Sequence, residues 1–124
     1  MADKPPILLV DDSLDTCEAM RMLLEMDGCA VSVFHSGKEA IDAVRDGMRP
    51  GIALLDIGLP DMSGFELAGT LRRTADLSRC AFIALTGWSA DALEEDLHGA
   101  DFSLHLTKPV DFARLSELIR TLQG

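Results

Sequence analysis

Two adjacent aspartates, Asp11 and Asp12, directly follow the apolar run Ile7–Val10. Two carboxylates about 4 Å apart repel each other by about 4 kcal/mol at an effective dielectric constant of about 20. Solvent, a shared proton or a bound cation could offset that repulsion, and the pair by itself leaves these alternatives open. Its chemistry therefore depends on which other side chains the fold brings beside it.

Three more polar residues stand at or just after the ends of other short apolar segments: Asp56, Thr86 and Lys108. Each has an ordinary explanation when taken alone. An acid after a strand is usually a turn former or a helix cap, a threonine fits strand propensity, and Lys-Pro is common in surface loops. Their shared position after predicted strands favours a functional interpretation, because parallel strands would gather them at one edge of a sheet.

Five short segments of the chain are predicted to be β-strands. Continuous apolar runs, typical of parallel strands that are covered on both faces, span Ile7–Val10, Ile52–Leu55 and Ala81–Leu85. Ala30–Phe34 and Phe102–Leu106 carry polar residues at alternate or near-alternate positions. This pattern predicts that these two strands lie at the edges of the sheet.

Helical patterns follow each of the strands. The last of them, beginning near Asp111, is expected to bury an i, i+3, i+4, i+7 stripe of Leu115, Leu118, Ile119 and Leu122. The other four are predicted at Leu14–Met26, Gly37–Arg45, Ser63–Arg73 and Ala90–His98.

This alternation predicts an α/β fold, the doubly wound (βα)5 sandwich of the flavodoxin-like type. With strands two and five at the edges, the parallel five-stranded sheet has the order 2-1-3-4-5. Residues 1–124 then form one domain, which suits their number. Ligands of such sheets bind beyond the carboxyl ends of the strands, at the switch point between strands one and three.

That edge would bring Asp11, Asp12 and Asp56 together, with Thr86 and Lys108 beside them. Three carboxylates without histidine or cysteine form an all-oxygen site for a hard cation, and Mg²⁺ suits it best. A carboxylate can attack a phosphoryl group and form an acyl phosphate, whose oxygens a cation, an ammonium and a hydroxyl would stabilise. Strand two is expected to deliver nothing comparable to this edge.

Composition limits the function classes that remain. The net charge is −10, from 21 acidic and 11 basic residues, which disfavours direct nucleic-acid binding because phosphates are neutralised by lysine and arginine. No apolar stretch approaches the length of a membrane span, which is about 20 residues. The N-terminus has no signal-peptide core, and the three cysteines fit neither an even disulfide count nor metal-finger spacing. A cytoplasmic protein with reduced thiols is expected.

Four motifs in order resemble one known family, the receiver domains of two-component response regulators. They are LLVDDS, LLDIGLPDMSGFEL, ALTG and LTKPVD, and the resemblance covers the whole chain. The segments ALTGW and HLTKPVD are most similar to those of receivers attached to hybrid sensor kinases. The resemblance implies a cytoplasmic signalling module that accepts a phosphoryl group from a sensor histidine kinase or a histidine phosphotransfer protein. It also implies that the module switches a partner-binding face and is no enzyme on outside substrates.

The resemblance also implies the roles of individual residues. Asp56 matches the phosphoacceptor, Asp12 the direct Mg²⁺ ligand and Asp11 the acid that acts on the metal largely through water. Gly58, two residues after the acceptor, matches the residue whose backbone carbonyl completes the metal site.

The switch residues of the family are matched in part. Thr86 matches the hydroxyl that moves towards the phosphoryl group, Lys108 the lysine that pairs with it, and Pro109 a proline whose preceding peptide bond is usually cis. His105 stands where the family often has an aromatic residue, so it either swings with the switch or faces outward on an edge strand. Trp88, two residues after the threonine, either shields the phosphoryl group from water or lies on the next helix.

Two alternatives to a phospho-accepting receiver remain. The first is a receiver fold that serves only as a phosphorylation-independent interaction module, which is disfavoured because every acceptor-site residue is present. The second is an enzyme or flavin carrier of similar fold. The acidic segment after strand one has no glycine-rich phosphate cradle and disfavours that interpretation. His35 and His98 are interpreted as surface residues.

Overall fold

The computed structural model describes residues 6–87, 102 and 104–123. Within this part of the chain there are five strands and four helices. The strands are β1 (Ile7–Val10), β2 (Val31–Phe34), β3 (Ile52–Asp56), β4 (Ala81–Thr86) and β5 (Leu104–Thr107). The helices are α1 (Leu14–Met26), α2 (Gly37–Arg45), α3 (Gly64–Thr74) and α4 (Phe112–Gln123).

All five strands pair in parallel in the order β2-β1-β3-β4-β5. The predicted doubly wound sheet and its two edge strands are therefore confirmed. The order in which strands are added to the sheet reverses between β1 and β3, so the carboxyl ends of these two strands form its topological switch point. The residues that follow β1 and β3, together with those that follow β4 and β5, meet at this edge.

The sheet is covered on both faces, which is why its central strands are apolar throughout. All four residues of β1 and all five of β3 are buried. One face packs against α2 and α3 through a cluster that includes Leu8, Leu55 and Phe82. The opposite face packs against α1 and α4 through a cluster that includes Met20, Leu54 and Ile119.

Serine side chains cap three of the helices. Ser13, Ser36 and Ser63 each accept a hydrogen bond from the backbone N–H three residues further on, which satisfies a donor that has no partner inside the helix. Gly28 follows the end of α1 with a φ of 87°, a conformation that glycine adopts without strain. These local signals explain why the predicted bounds of α1 and α2 agree with the structure.

Two sequence predictions about the helices are not confirmed by the structure. In α4, Leu115 and Ile119 are buried and Leu118 is half-buried, but Leu122 is exposed. The prediction that Leu122 is buried was therefore wrong; this residue lies in the last turn of α4 and is 38% exposed. The helix predicted at Ala90–His98 lies outside the described residues. Among the described helices, none is long and apolar enough to cross a membrane.

Candidate functional site

A lysine from one side of the sheet bridges two aspartates at its carboxyl edge. The Lys108 Nζ atom lies 3.0 Å from Asp11 Oδ2 and 3.1 Å from Asp56 Oδ2. Asp11 follows β1, Asp56 ends β3, and Lys108 follows β5. Three separate strands therefore deliver these charged groups to one point, as the sequence pattern predicts.

The Asp11 side chain is fully buried although it is a carboxylate. Its Oδ1 atom accepts a hydrogen bond of 2.9 Å from the Ser13 backbone N–H, which lies in the turn that leads into α1. Burial raises the pKa of the Asp11 carboxyl above its usual range, and the neighbouring Asp56 adds to this effect. The Ser13 amide and the Lys108 ammonium oppose it without cancelling it.

Asp12 completes a cluster of three carboxylates. Asp11, Asp12 and Asp56 each offer one oxygen, and these three oxygens lie within 4.8 Å of one another. Asp12 is exposed, so the cluster opens to solvent on its side. Three carboxylates beside one ammonium leave a negative charge that a divalent cation would neutralise. The all-oxygen donor set and the open side both fit Mg²⁺, which retains several waters in proteins.

The backbone after β3 orients Asp56. The Gly58 N–H donates a hydrogen bond of 3.0 Å to Asp56 Oδ1, and Gly58 itself is exposed. The loop then turns tightly into α3, where the Gly64 N–H donates to the Ile57 carbonyl at 2.9 Å. A Cβ atom on Gly64 would lie only 2.7 Å from the Asp56 carbonyl oxygen. The fold therefore requires a glycine at position 64 to keep the aspartate in place.

Lys108 is positioned by the neighbouring strand. Its backbone N–H donates a hydrogen bond of 2.7 Å to the carbonyl of Thr86 at the end of β4, and its peptide bond to Pro109 is cis. The cis bond confirms what the family resemblance implies for this proline. Burial by itself lowers the pKa of the Lys108 ammonium, but the contacts with Asp11 and Asp56 outweigh it and the net shift is upward. The Lys108 side chain therefore stays charged. Thr86 is buried at the same edge.

The end of β2 contributes a residue that the sequence analysis assigned to the surface. His35 is half-buried, and its Nδ1 atom lies 3.0 Å from the backbone carbonyl oxygen of Asp11. The Cys17 thiol donates a hydrogen bond of 3.2 Å to the same oxygen. The surface assignment of His35 was wrong in part, because its ring contacts the backbone beside the cluster. This contact is made to a backbone carbonyl and not to the carboxylates, so strand two adds nothing comparable to Asp11, Asp56, Thr86 and Lys108 there.

Cys17 is a buried thiol that keeps its proton. Burial raises the pKa of this thiol to about 11, and the negative charge of Asp11 contributes to the increase. At neutral pH the side chain is therefore a weak hydrogen-bond donor and not a thiolate nucleophile.

The structure does not test the roles predicted for two further residues, His105 and Trp88. His105 is half-buried on β5 and pairs in register with Ala84 of β4. Its movement during a switch stays a prediction. Trp88 lies outside the described residues, so its shielding role also stays a prediction.

Comparison with known proteins agrees with this geometry. The family model described as the response regulator receiver domain matches residues 7–120. The chain belongs to the response regulator receiver family. It is 38% identical over 117 residues to an uncharacterised 14.6 kDa protein of Leptolyngbya boryana, covering 92% of this chain and 86% of that protein. It is 29% identical to the polar-differentiation response regulator DivK of Brucella anthropi, and the match covers 95% of each chain.

Solved structures of receiver domains have the same fold. The CheY-like receiver domain from Methylobacillus flagellatus superposes with a TM-score of 0.84 at 28% identity, covering 96% of this chain and 98% of that one. The chemotaxis protein CheY4 of Vibrio cholerae superposes with a TM-score of 0.88 and the same coverage at 21% identity, a likeness of fold alone. Attachment to a hybrid kinase stays a prediction from sequence.

Proposed function

We propose that this receiver domain accepts a phosphoryl group on Asp56 from a phosphohistidine, with Mg²⁺ bound beside it. The observation that carries the proposal is the bridge from Lys108 to Asp11 and Asp56, at distances of 3.0 and 3.1 Å, within the cluster of three carboxylates. If Asp11 and Asp56 served only as turn formers or helix caps, they would have no reason to form ion pairs with the same lysine. The domain acts on its own side chain and has no outside substrate.

The chemical step is a nucleophilic displacement at phosphorus. A carboxylate oxygen of Asp56 forms a bond to the phosphorus atom while the bond from phosphorus to the donor imidazole breaks. The imidazole nitrogen keeps that electron pair and leaves. The product is an acyl phosphate on Asp56. The Gly58 amide holds one oxygen of Asp56 at 3.0 Å and thereby fixes the direction of the carboxylate before the donor arrives.

Asp11, Asp12 and Asp56 are the side chains that would hold Mg²⁺, with the backbone carbonyl of Gly58 as a further ligand. When bound, the ion would supply positive charge beside the phosphoryl oxygens. Within the chain itself, Lys108 supplies a fixed positive charge at the same place. Its contacts with the two aspartates hold the ammonium where the phosphoryl oxygens would form.

Switching is proposed to begin when Lys108 and the hydroxyl of Thr86 take phosphoryl oxygens as partners. Lys108 is joined to Thr86 by the backbone hydrogen bond of 2.7 Å between β5 and β4, so a movement of one reaches the other. His105 lies two residues before Thr107 on the same edge strand and is the residue through which the change would reach the partner-binding face.

The donor is proposed to be a sensor histidine kinase or a histidine phosphotransfer protein that docks against α1. This helix begins beside the acceptor site and exposes three large apolar side chains: Leu14, Met22 and Met26. Unbranched methionine side chains adapt to the shape of a partner helix.

Phosphorylation by a small-molecule donor tests the proposal without the unknown kinase. The protein is incubated with acetyl phosphate and Mg²⁺, and its intact mass is measured. We expect a gain of one phosphoryl group that disappears when Mg²⁺ is chelated and in the Asp56→Asn variant. An unchanged mass in the parent protein, with its circular dichroism spectrum that of a folded α/β domain, would contradict the proposal and favour a phosphorylation-independent interaction module.

A further inference from the structure

The backbone carbonyl of Asp11 receives two side-chain donors from separate elements. Cys17 of α1 donates its thiol proton at 3.2 Å, and His35, which follows β2, lies with Nδ1 at 3.0 Å. A carbonyl oxygen has two lone pairs and no proton, so Nδ1 must carry the proton in this contact. The Cys17 Sγ and His35 Nδ1 atoms are 3.9 Å apart, as expected of two donors that converge on one acceptor.

These donors stand where the strand ladder ends. The last backbone hydrogen bond between β1 and β2 runs from the Asp11 N–H to the Phe34 carbonyl at 3.1 Å. Beyond it the chain turns towards α1, and side chains take over from the backbone as partners. Cys17 and Asp11 are buried, so water does not substitute readily for these contacts.

The carbonyl of Asp11 belongs to the peptide unit that links Asp11 to Asp12. Because a peptide unit is planar, fixing the direction of its C=O also fixes the plane of the Asp12 N–H. The two dihedral angles on either side of this unit then decide where both carboxylates point. Both hydrogen bonds are made to the backbone carbonyl and not to a carboxylate, so the two donors orient the carboxylates through the backbone.

We propose that His35 and Cys17 are positioning residues that orient the peptide between Asp11 and Asp12 and thereby set the affinity for Mg²⁺. The inference rests on the proposed function only for its metal. Partners that orient metal ligands without contacting the metal typically change affinity by about 10-fold to 100-fold when removed. The effect expected here is at the lower end, because each donor backs up the other.

Matched variants separate donation from packing. His35→Leu removes the donor, whereas His35→Asn keeps an N–H close to the position of Nδ1. In the same way Cys17→Ala removes a donor that Cys17→Ser retains. Cys29→Ala is the control. It removes another buried thiol, which lies before β2 begins and therefore at the amino end of the strands, away from the carboxylates.

Two readouts are measured on each variant. The first is the dissociation constant for Mg²⁺ by calorimetric titration, and the second is the position of the Asp12 amide in the metal-free ¹H–¹⁵N spectrum. We expect His35→Leu and Cys17→Ala to bind Mg²⁺ about 10-fold more weakly and to shift the Asp12 amide. We expect His35→Asn, Cys17→Ser and Cys29→Ala to stay close to the parent in both readouts.

Equal behaviour of the Leu and Asn variants, or of the Ala and Ser variants, would overturn the inference because donation would then be irrelevant. If one Leu or Ala variant does not fold, the other pair decides. If the parent protein itself fails to bind Mg²⁺, the proposed function is contradicted. The Asp12 amide then decides the positioning role alone: a shift that Asn and Ser restore supports it, and no such restoration refutes it.

Discussion

At the scale of single residues, we expect the exposed glycine beside the acceptor to influence how water reaches an acyl phosphate on Asp56. A Cβ atom at Gly58 would meet nothing closer than Asp56 Oδ1, at 3.9 Å, so a side chain fits there without strain on the fold. Gly58 itself offers no group that could orient a water molecule. We expect slow loss of the phosphoryl group in the parent and faster loss in Gly58→Asn, whose amide can hold a water near the phosphorus.

The decay of phosphorylated protein after removal of the donor measures this effect. We expect the rate in Gly58→Asn to rise by up to about 10-fold, which is less than the roughly 100-fold or more from a positioned general base, because an amide orients the water without taking its proton. Gly58→Ala is the matched control, since it adds bulk without a polar group. Equal rates in the parent, the alanine variant and the asparagine variant would contradict this role for position 58.

The buried carboxylate of Asp11 is predicted to lower the stability of the metal-free domain. Asparagine at this position keeps an oxygen for the Ser13 amide, and Lys108 keeps Asp56 as its partner at 3.1 Å. We therefore expect Asp11→Asn to raise the free energy of unfolding in chelator by about 0.5–2 kcal/mol, as substitutions that relieve functional strain commonly do.

The pH dependence of this difference has a definite sign. Because folding raises the pKa of Asp11 above 3.8, its ionisation favours the unfolded state. The stability difference between Asp11→Asn and the parent should be absent below pH 3.8 and grow as the pH rises through the raised pKa. Denaturant unfolding of both proteins across this range checks it. A variant that is less stable than the parent at neutral pH would mean that the ion pair with Lys108 outweighs burial.

At the scale of elements, Asp61 connects the loop after β3 to the start of α2 by hydrogen bonds. This aspartate is not one of the three clustered carboxylates. Asp61 accepts hydrogen bonds from the Gly37 N–H at 2.9 Å and from the Lys38 N–H at 3.0 Å. This carboxylate caps α2 from a distance of 24 positions along the chain. We expect Asp61→Ala to lower the free energy of unfolding by about 1 kcal/mol, a typical cost of losing an N-cap.

The same contacts give this effect a pH window. The Gly37 amide, followed by the Lys38 amide, lowers the pKa of Asp61 below 3.8 in the folded state. Its contribution to stability is therefore complete above pH 3.8 and is lost as the pH falls through the lowered pKa. Urea unfolding at neutral and at acidic pH measures it, with Asp76→Ala as the control for an exposed aspartate that caps only its own loop. Equal losses of stability in the two variants at neutral pH would contradict the cap.

Helix α1 is the element that we expect the phosphodonor to contact. Met22 is 55% exposed on this helix, although the core stripe on its other side is buried. Met22→Lys should slow transfer from the partner kinase by at least about 10-fold, the effect of losing a central apolar anchor. Phosphorylation by acetyl phosphate should not change. Leu122→Lys, an exposed leucine in the last turn of α4, is the matched control. Unchanged transfer with Met22→Lys would place the docking surface elsewhere.

At the scale of the whole molecule, the sequence was sufficient wherever local signals decide the outcome. Apolar runs located β1, β3 and β4, and serine caps and glycine located the ends of α1. The convergence of Asp11, Asp56 and Lys108 also followed, because parallel pairing leaves only one edge for residues that come after strands. The cap from Asp61 and the contact of His35 with the Asp11 carbonyl could not be predicted. Each joins residues 24 positions apart through loop geometry that no periodicity encodes.

The central claim concerns which of the clustered carboxylates becomes phosphorylated. An acyl phosphate on an aspartate can be reduced with borohydride, which converts that residue to homoserine and marks its position permanently. The parent protein is phosphorylated with acetyl phosphate and Mg²⁺, reduced, digested and sequenced by mass spectrometry. We predict homoserine at position 56 and at no other aspartate. Homoserine at position 11 or 12, or a phosphoryl group that survives acid on another residue, would contradict the assignment of Asp56 as the acceptor.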